Sequence, residues 1–335
     1  MTATRHSLDA ARWHFQHGPM DLVLQAEGDA QAVAEAHEAA WLRFMPLLDE
    51  LVAELPALRA PVMASSLTGL TMQTPLGGES ARTLLHGVVA RRMHAACAGA
   101  VADAPQFITP MAAVAGAVAQ ELIGCYARPG ITRAWANNGG DIALHLAPGH
   151  SARVGLYADL ANFEPGAAQS LRTDGQFEID AAQPVRGVAT SGWRGRSFSL
   201  GIADSVTVLA ATAAQADAAA TVIANAVDAP HPAIARRPAC DCKDDSDLGA
   251  LPVTVDVPAL PADVVAAALA ACARAAPALQ DGGHIHAAVL VCQGQWRTVQ
   301  PLCSALRGAQ ATAAAPRTTM AHRLGADVAV GSVFA

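Results

Sequence analysis

The sequence predicts an α+β fold, antiparallel sheets with packed alanine-rich helices around a central cleft, and three observations carry that reading. Short alternating runs come in pairs joined by turn signals, as at Arg12 to Gln16 and Met20 to Ala26 across His17-Gly18-Pro19. Helical stretches are interspersed among these pairs instead of alternating strictly with single strands, which argues against a parallel sheet. The chain is 52% hydrophobic but only 4% aromatic, with the excess mostly alanine, so its helices pack by close approach rather than around large rings.

Taken in order, the N-terminal hairpin leads to Asp29, a good helix cap, and to apolar residues at helical spacing through Trp41, Phe44, Leu47 and Leu51, a long helix ending near Pro56. Residues 57–80 lack a steady period and read as an ordered connection. A second helix is expected from Ala81 to about Ala102, with Arg91 and Arg92 on a solvated face or toward phosphates. Thr109 suits a cap and Pro110 a first helical position for an alanine- and glycine-lined helix through Gly116 to Glu121. Its small side chains let a backbone or a ligand come close, and its start offers unpaired N–H groups to an anion.

Ile131 to Leu146 reads as strand, turn, strand. The run Asn137-Asn138-Gly139-Gly140-Asp141 at the turn holds more polar groups than a two-residue hairpin loop requires. Ala152 to Tyr157 and Gln176 to Ile179 are further strands, and Gly187 to Trp193 with Ser197 to Ile202 forms a hairpin with Thr190 and Ser191 at its turn. The stretch Val206 to Asn225 organises the chain: a buried strand runs into an almost all-alanine helix on which Asp217, Thr221 and Asn225 share one face. A carboxylate and a hydroxyl one turn apart suit Mg²⁺, while the same spacing also describes the solvated edge of an amphipathic helix.

Residues 229–250, rich in proline and then in Asp and Cys, read as a crossing segment. Val253 to Val257 is a strand, Pro261 to Ala275 a helix, and His284 to Val291 a strand. Cys240 and Cys242, with His231 nearby, could hold zinc, but their spacing matches no common finger pattern, and His284 and His286 on one side of a strand lack a third ligand at a suggestive spacing. The expected organisation is an extension over residues 1–11, one domain over 12–300, and a tail over 301–335.

A net charge of −7 provides no basic footprint for nucleic acid, and the near-membrane-length apolar windows are interrupted by charges, so no membrane partner is expected. Seven scattered cysteines and a start without an apolar run point to the cytoplasm. Homo-oligomerisation is left open.

Pro110 to Gln120, Asn138-Gly-Gly-Asp141, Thr190-Ser-Gly192, Val206 to Ala210 and Ala216-Asp217 to Thr221, in this order, resemble the ApbE-like superfamily, whose best-known members are FAD:protein FMN transferases. The resemblance is to an uncharacterised branch and covers about residues 12–300. It implies a flavin- or nucleotide-binding cleft with FAD along Gly116, Asn138, Gly139, Gly140, Asp141, Thr190 and Ser191. It also implies Mg²⁺ at Asp217 and Thr221. The pattern departs in having Ala115 and Gln120 where the transferases carry lysine and aspartate, and in leaving no room for their Asp-Pro-x-Thr-Gly loop between the strands at 190 and 206. Three readings follow: a transferase-type enzyme with altered supporting groups, a non-catalytic flavin-binding protein, and an unrelated small-molecule enzyme on the same fold. Slow or absent flavinylation is the expectation.

Overall fold

A computed structural model describes residues 2–9, 11–62, 84–102, 106–156, 175–244, 246–272 and 275–301. Its centre is a nine-stranded sheet in the order β1 (Thr4–Ser7), β2 (Arg12–His17), β3 (Met20–Gly28), β4 (Ile131–Asn138), β5 (Asp141–Leu146), β8 (Gly187–Ser191), β9 (Ser205–Ala210), β12 (Ala287–Cys292), β13 (Gln295–Val299). Every pairing in it is antiparallel. Two short ribbons stand apart from it, β6 (Ser151–Leu156) with β7 (Gly175–Asp180) and β10 (Ala235–Pro238) with β11 (Pro252–Asp256). The helices are α1 (Ala30–Phe44), α2 (Leu47–Ala53), α3 (Leu55–Leu58), α4 (Val88–Ala100), α5 (Val114–Ile123), α6 (Ala213–Ala226), α7 (Ala239–Cys242), α8 (Ala262–Ala271) and α9 (Ala275–Asp281). The α+β class with antiparallel sheets is therefore the class the sequence implies.

Strand alternation divides the core into two. Leu22, Leu24, Ala134, Ala136, Val206 and Val208 join the larger cluster with the helices, while their neighbours Trp135, Ile142, Leu144, Val188 and Leu209 pack with Ala152, Val154 and Ile179 of the β6–β7 ribbon. The helical side is packed through small residues, with Ala213, Ala216, Ala218 and Ala219 of α6 fully buried. Glycine sets the approach distances. A Cβ at Gly187 of β8 would lie 2.2 Å from the carbonyl carbon of Thr212 at the start of α6, and one at Gly201 would lie 2.2 Å from the Ala224 carbonyl oxygen near its end.

Several elements differ from expectation. The sheet begins at Thr4, because β1 pairs with β2, so residues before 12 are not an extension outside the fold. The long first helix is interrupted after Phe44, where Pro46, which has no N–H to donate, separates α1 from α2. The second helix starts at Val88, where Glu54 accepts from the N–H groups of His86 and Gly87. Thr109 stands at the cap position, but its hydroxyl donates to Asp247, and a 3₁₀ turn over Pro110–Ala113 precedes α5.

β8 forms its hairpin with β9, and residues 197–202 are a loop instead of the second arm. The Asn225 side chain captures that loop by accepting from Leu200 N–H and Ser199 Oγ. His284 and His286 precede β12 rather than lying along it, and His284 packs over Gly99 of α4. The connection from residue 63, Tyr157 and the tail from 302 lie outside the described residues.

Among the described residues one stretch, Ala262–Asp281, is long and apolar enough by length and composition to cross a membrane, and 44% of its apolar window is buried inside the fold. Val265, Ala268 and Leu269 of α8 belong to the main core, as in the helix of a packed domain.

Because the obstruction at Gly187 is backbone, Gly187→Ala should destabilise the fold by about 1–3 kcal/mol. Gly124→Ala, where an added Cβ meets nothing within 4 Å, should change stability by less than about 0.5 kcal/mol. Urea unfolding midpoints of the two variants and the parent check this ordering.

Candidate functional site

The β4–β5 hairpin turns on Gly139 and Gly140, whose φ values of 65° and 110° demand glycine and close a two-residue loop between the paired Asn138 and Asp141. Asn137 Oδ1 accepts from Gly140 N–H and braces the turn from within. The pleat then sends Asn138 and Asp141 to the helical side, in step with Ala136 and Ala143 of the larger core. Asn138 Nδ2 donates to the Ala115 carbonyl, tying the strand end to the first turn of α5.

Asp217 reaches the same place from α6. One of its carboxylate oxygens accepts from Gly116 N–H at 2.9 Å, so it caps α5 across 101 residues of sequence. Gly116 is essential to that approach. An added Cβ would lie 2.3 Å from the Ala213 carbonyl oxygen and 2.9 Å from the Asp217 Cβ. Its smallness serves helix-on-helix contact, the close backbone approach that the sequence offered beside a ligand-facing use.

Asp141 is 9% exposed and accepts from Thr190 N–H. The Asp141 carboxyl is held well above the ordinary carboxylate range, by burial first and then by the charge of Asp217, with the Thr190 N–H opposing. Burial also raises Asp217, to about 7, against the lowering effect of the Gly116 and Ala115 N–H groups. Asp141, buried, and Asp217, half-buried, thus lie near enough for the charge of one to act on the other, and together they favour retaining a proton near neutrality. Buried Cys97, on α4, has its thiol pushed up by burial and by the Asp217 charge, so it is an inert neighbour.

The structure brings together Gly116, Asn138, Asp141 and Asp217, with the Gly139–Gly140 turn beside them. Thr190 contributes its backbone N–H, but its hydroxyl pairs with that of Thr207 at 2.9 Å. By strand alternation, Thr190 and Thr207 lie on the side of Val188 and Leu209, away from the carboxylates. Ser191, half-buried, follows on the helical side. Thr221 is half-buried one turn beyond Asp217. The carboxylate that partners Asp217 is therefore Asp141, from another element, and the helical spacing of Thr221 gave no sign of this.

Among the described residues no group of three or more His, Cys, Asp and Glu is placed to hold a metal ion, which includes Cys240, Cys242, His284 and His286. Arg92 pairs with Glu121, which Arg43 also binds.

Residues 4–298 match the family model described as AbpE bacteria, and the chain belongs to that family. It is similar to UPF0280 proteins. It is 38% identical over 140 residues to that of Methanosphaerula palustris, a match covering 42% of this chain and 52% of the relative. With that of Methanothermobacter thermautotrophicus it shares 41% over 143 residues, 41% of this chain and 50% of the relative. With that of Methanopyrus kandleri it shares 39% over 142 residues, 42% and 52% of the two chains. The chain spans about half the length of these relatives. These matches correct the resemblance to an uncharacterised branch of the ApbE-like superfamily of FAD:protein FMN transferases, since the relatives are UPF0280 proteins whose name carries neither flavin nor transfer chemistry.

The raised carboxyls fix the sign of a pH effect. A carboxyl whose folded value exceeds its unfolded one favours the folded state while protonated, and that advantage is lost as pH rises from the ordinary carboxylate value toward the folded one. The parent should therefore lose stability relative to Asp217→Asn between about pH 4 and about pH 7. Urea unfolding of both proteins across that range measures the difference, and a pH-independent gap would contradict the assignment.

Proposed function

We propose that this member of the AbpE bacteria family binds a phosphate-bearing small molecule of flavin or nucleotide type, through a divalent cation such as Mg²⁺ bound at Asp141 and Asp217. The carrying observation is that two distant segments deliver Asp141 and Asp217 to the first turn of α5, through Asn138 on Ala115 and Asp217 on Gly116, where the charge of one acts on the other. Like charges held this way favour either a proton or a cation between them, and their oxygens are the hard donors that Mg²⁺ prefers. Two carboxylates suit an ion that keeps waters and takes phosphate oxygens for the rest of its shell. Thr221, one turn along α6, and Asn138 are the neutral oxygen-bearing neighbours.

The fit to a phosphate is better supported than the fit to a flavin ring, because Gly116 is occupied by its contact with α6. The cation would supply charge neutralisation for a ligand that bare carboxylates would repel. The chain's own groups would orient it: Asp217 fixed by α5, Asp141 by Thr190, and Asn138 by Ala115. These residues favour a binding role over transfer chemistry, with FAD or FMN as the first ligands to try. A reducing cytoplasm suits the six described cysteines, all free thiols.

Calorimetric titration with MgCl₂, and then with FMN in its presence, tests the reading. The parent should bind Mg²⁺, with proton release on the acid side of neutrality, and bind FMN only when Mg²⁺ is present. Asp141→Asn and Asp217→Asn should each weaken Mg²⁺ binding by at least about tenfold. Parent-like Mg²⁺ affinity in both variants would remove the carboxylate pair as the site.

A further inference from the structure

Arg196 is the unassigned group best placed to act on such a ligand. The loop from Gly192 to Asp204 leaves β8 beside the Gly139–Gly140 turn, because β8 pairs with β5 at Ile142↔Val188 and Ala143↔Gly187. The loop is held on both sides of Arg196. Gly192 packs so tightly on Asp204 that a Cβ would lie 2.3 Å from the Asp204 carbonyl oxygen. Trp193 Nε1 donates to the Asp204 side chain, Arg194 lies over the Trp193 ring, and Asn225 holds Ser199 and Leu200.

On this braced arm Arg196 is exposed, and its Nη1 is 3.4 Å from where a Gly139 side chain would begin. Its one hydrogen bond is a long donation to the Pro19 carbonyl at 3.5 Å, and no carboxylate pairs with it among the described residues. A guanidinium with most of its donors uncommitted therefore stands beside a turn that ends at Asp141. The adjacent carboxylates are already engaged by backbone N–H groups.

We infer that Arg196 is the specificity-determining residue that recognises the anionic, phosphate-bearing end of the ligand bound at Asp141 and Asp217. This rests on the proposed cation-dependent site. The arrangement separates two tasks. The carboxylates select the cation, and Arg196 supplies the fork of donors that matches phosphate oxygens. A ligand without phosphate would gain nothing from it.

The experiment compares FMN with riboflavin, and pyrophosphate with chloride, by calorimetry in the presence of MgCl₂, using the full chain, Arg196→Ala and Arg196→Lys. The parent should prefer FMN to riboflavin. Arg196→Ala should lose about ten- to hundredfold in FMN and pyrophosphate affinity while Mg²⁺ and riboflavin binding stay at parent levels, and Arg196→Lys should recover part of the loss. FMN binding by Arg196→Ala equal to that of the parent would overturn the role of Arg196 and leave the cation site standing. A parent that binds Mg²⁺ but does not discriminate FMN from riboflavin would also overturn it. A parent that binds no Mg²⁺ would overturn both readings. Because Arg196 is exposed, unchanged urea midpoints in both variants are expected, which keeps a folding defect apart from a binding one.

Discussion

The hydrogen bond from Gly116 N–H to Asp217 joins the two helices that cover the centre of the sheet, and much of the site geometry depends on it. α6 is held between two glycine contacts, Gly187 at its start and Gly201 at its end, and α5 crosses it at Gly116. At that crossing the first turn of α5 has N–H groups without helical partners, and the Asp217 carboxylate meets one of them. Withdrawing the half-buried carboxylate from water is costly, and the helix terminus offsets only part of the cost, since the Asp217 carboxyl remains raised. Asp141, supported by Thr190, adds a second carboxylate to the same place. A fold that needed only a cap would gain nothing from this repulsion, which is the physical ground for reading the pair as functional.

The class of fold was legible because its signals are local. Alternating strands and Gly139-Gly140 report on neighbours a few residues away, and the observed hairpins follow them. The errors were also local in origin. Pro46 was passed over inside a convincing helical period, although a residue without an N–H ends a helix whatever the pattern around it. The second arm of the hairpin at 187–202 was misassigned because an apolar run there is held by Asn225, a residue of the next helix.

The site was half legible. The polar stripe Asp217, Thr221 and Asn225 was identified, but its members do separate jobs. Asp217 caps α5 and Asn225 pins the loop at Ser199, so the stripe is not a solvated edge along its whole length. Asp141 stands out because the turn has more polar residues than it needs, and the ordered motifs place that turn in one cleft with Asp217, although no local pattern joins the two residues. That pairing arises from sheet order, through the β5–β8–β9 ladder and the return of α6 over it. Thr190 illustrates the converse. Its adjacency to Ser191 suggested a shared role, whereas the period of two in a strand sends their side chains to opposite faces.

The same reasoning explains why family likeness and chemistry separate in this chain. The short motifs that suggested a transferase are largely those that build the crossing: glycine for close approach, alanine for packing, and aspartate for the cap. Such residues would persist in any protein that keeps this arrangement of helices on a sheet, whatever it binds. Chemical identity resides in the groups that the packing leaves uncommitted. In the proposed site these would be the Asp141–Asp217 pair and the guanidinium of Arg196. Both lie at the end of the sheet where the β2–β3 turn, the Gly139–Gly140 turn and the loop after β8 converge, so a ligand bound there would not have to disturb the core.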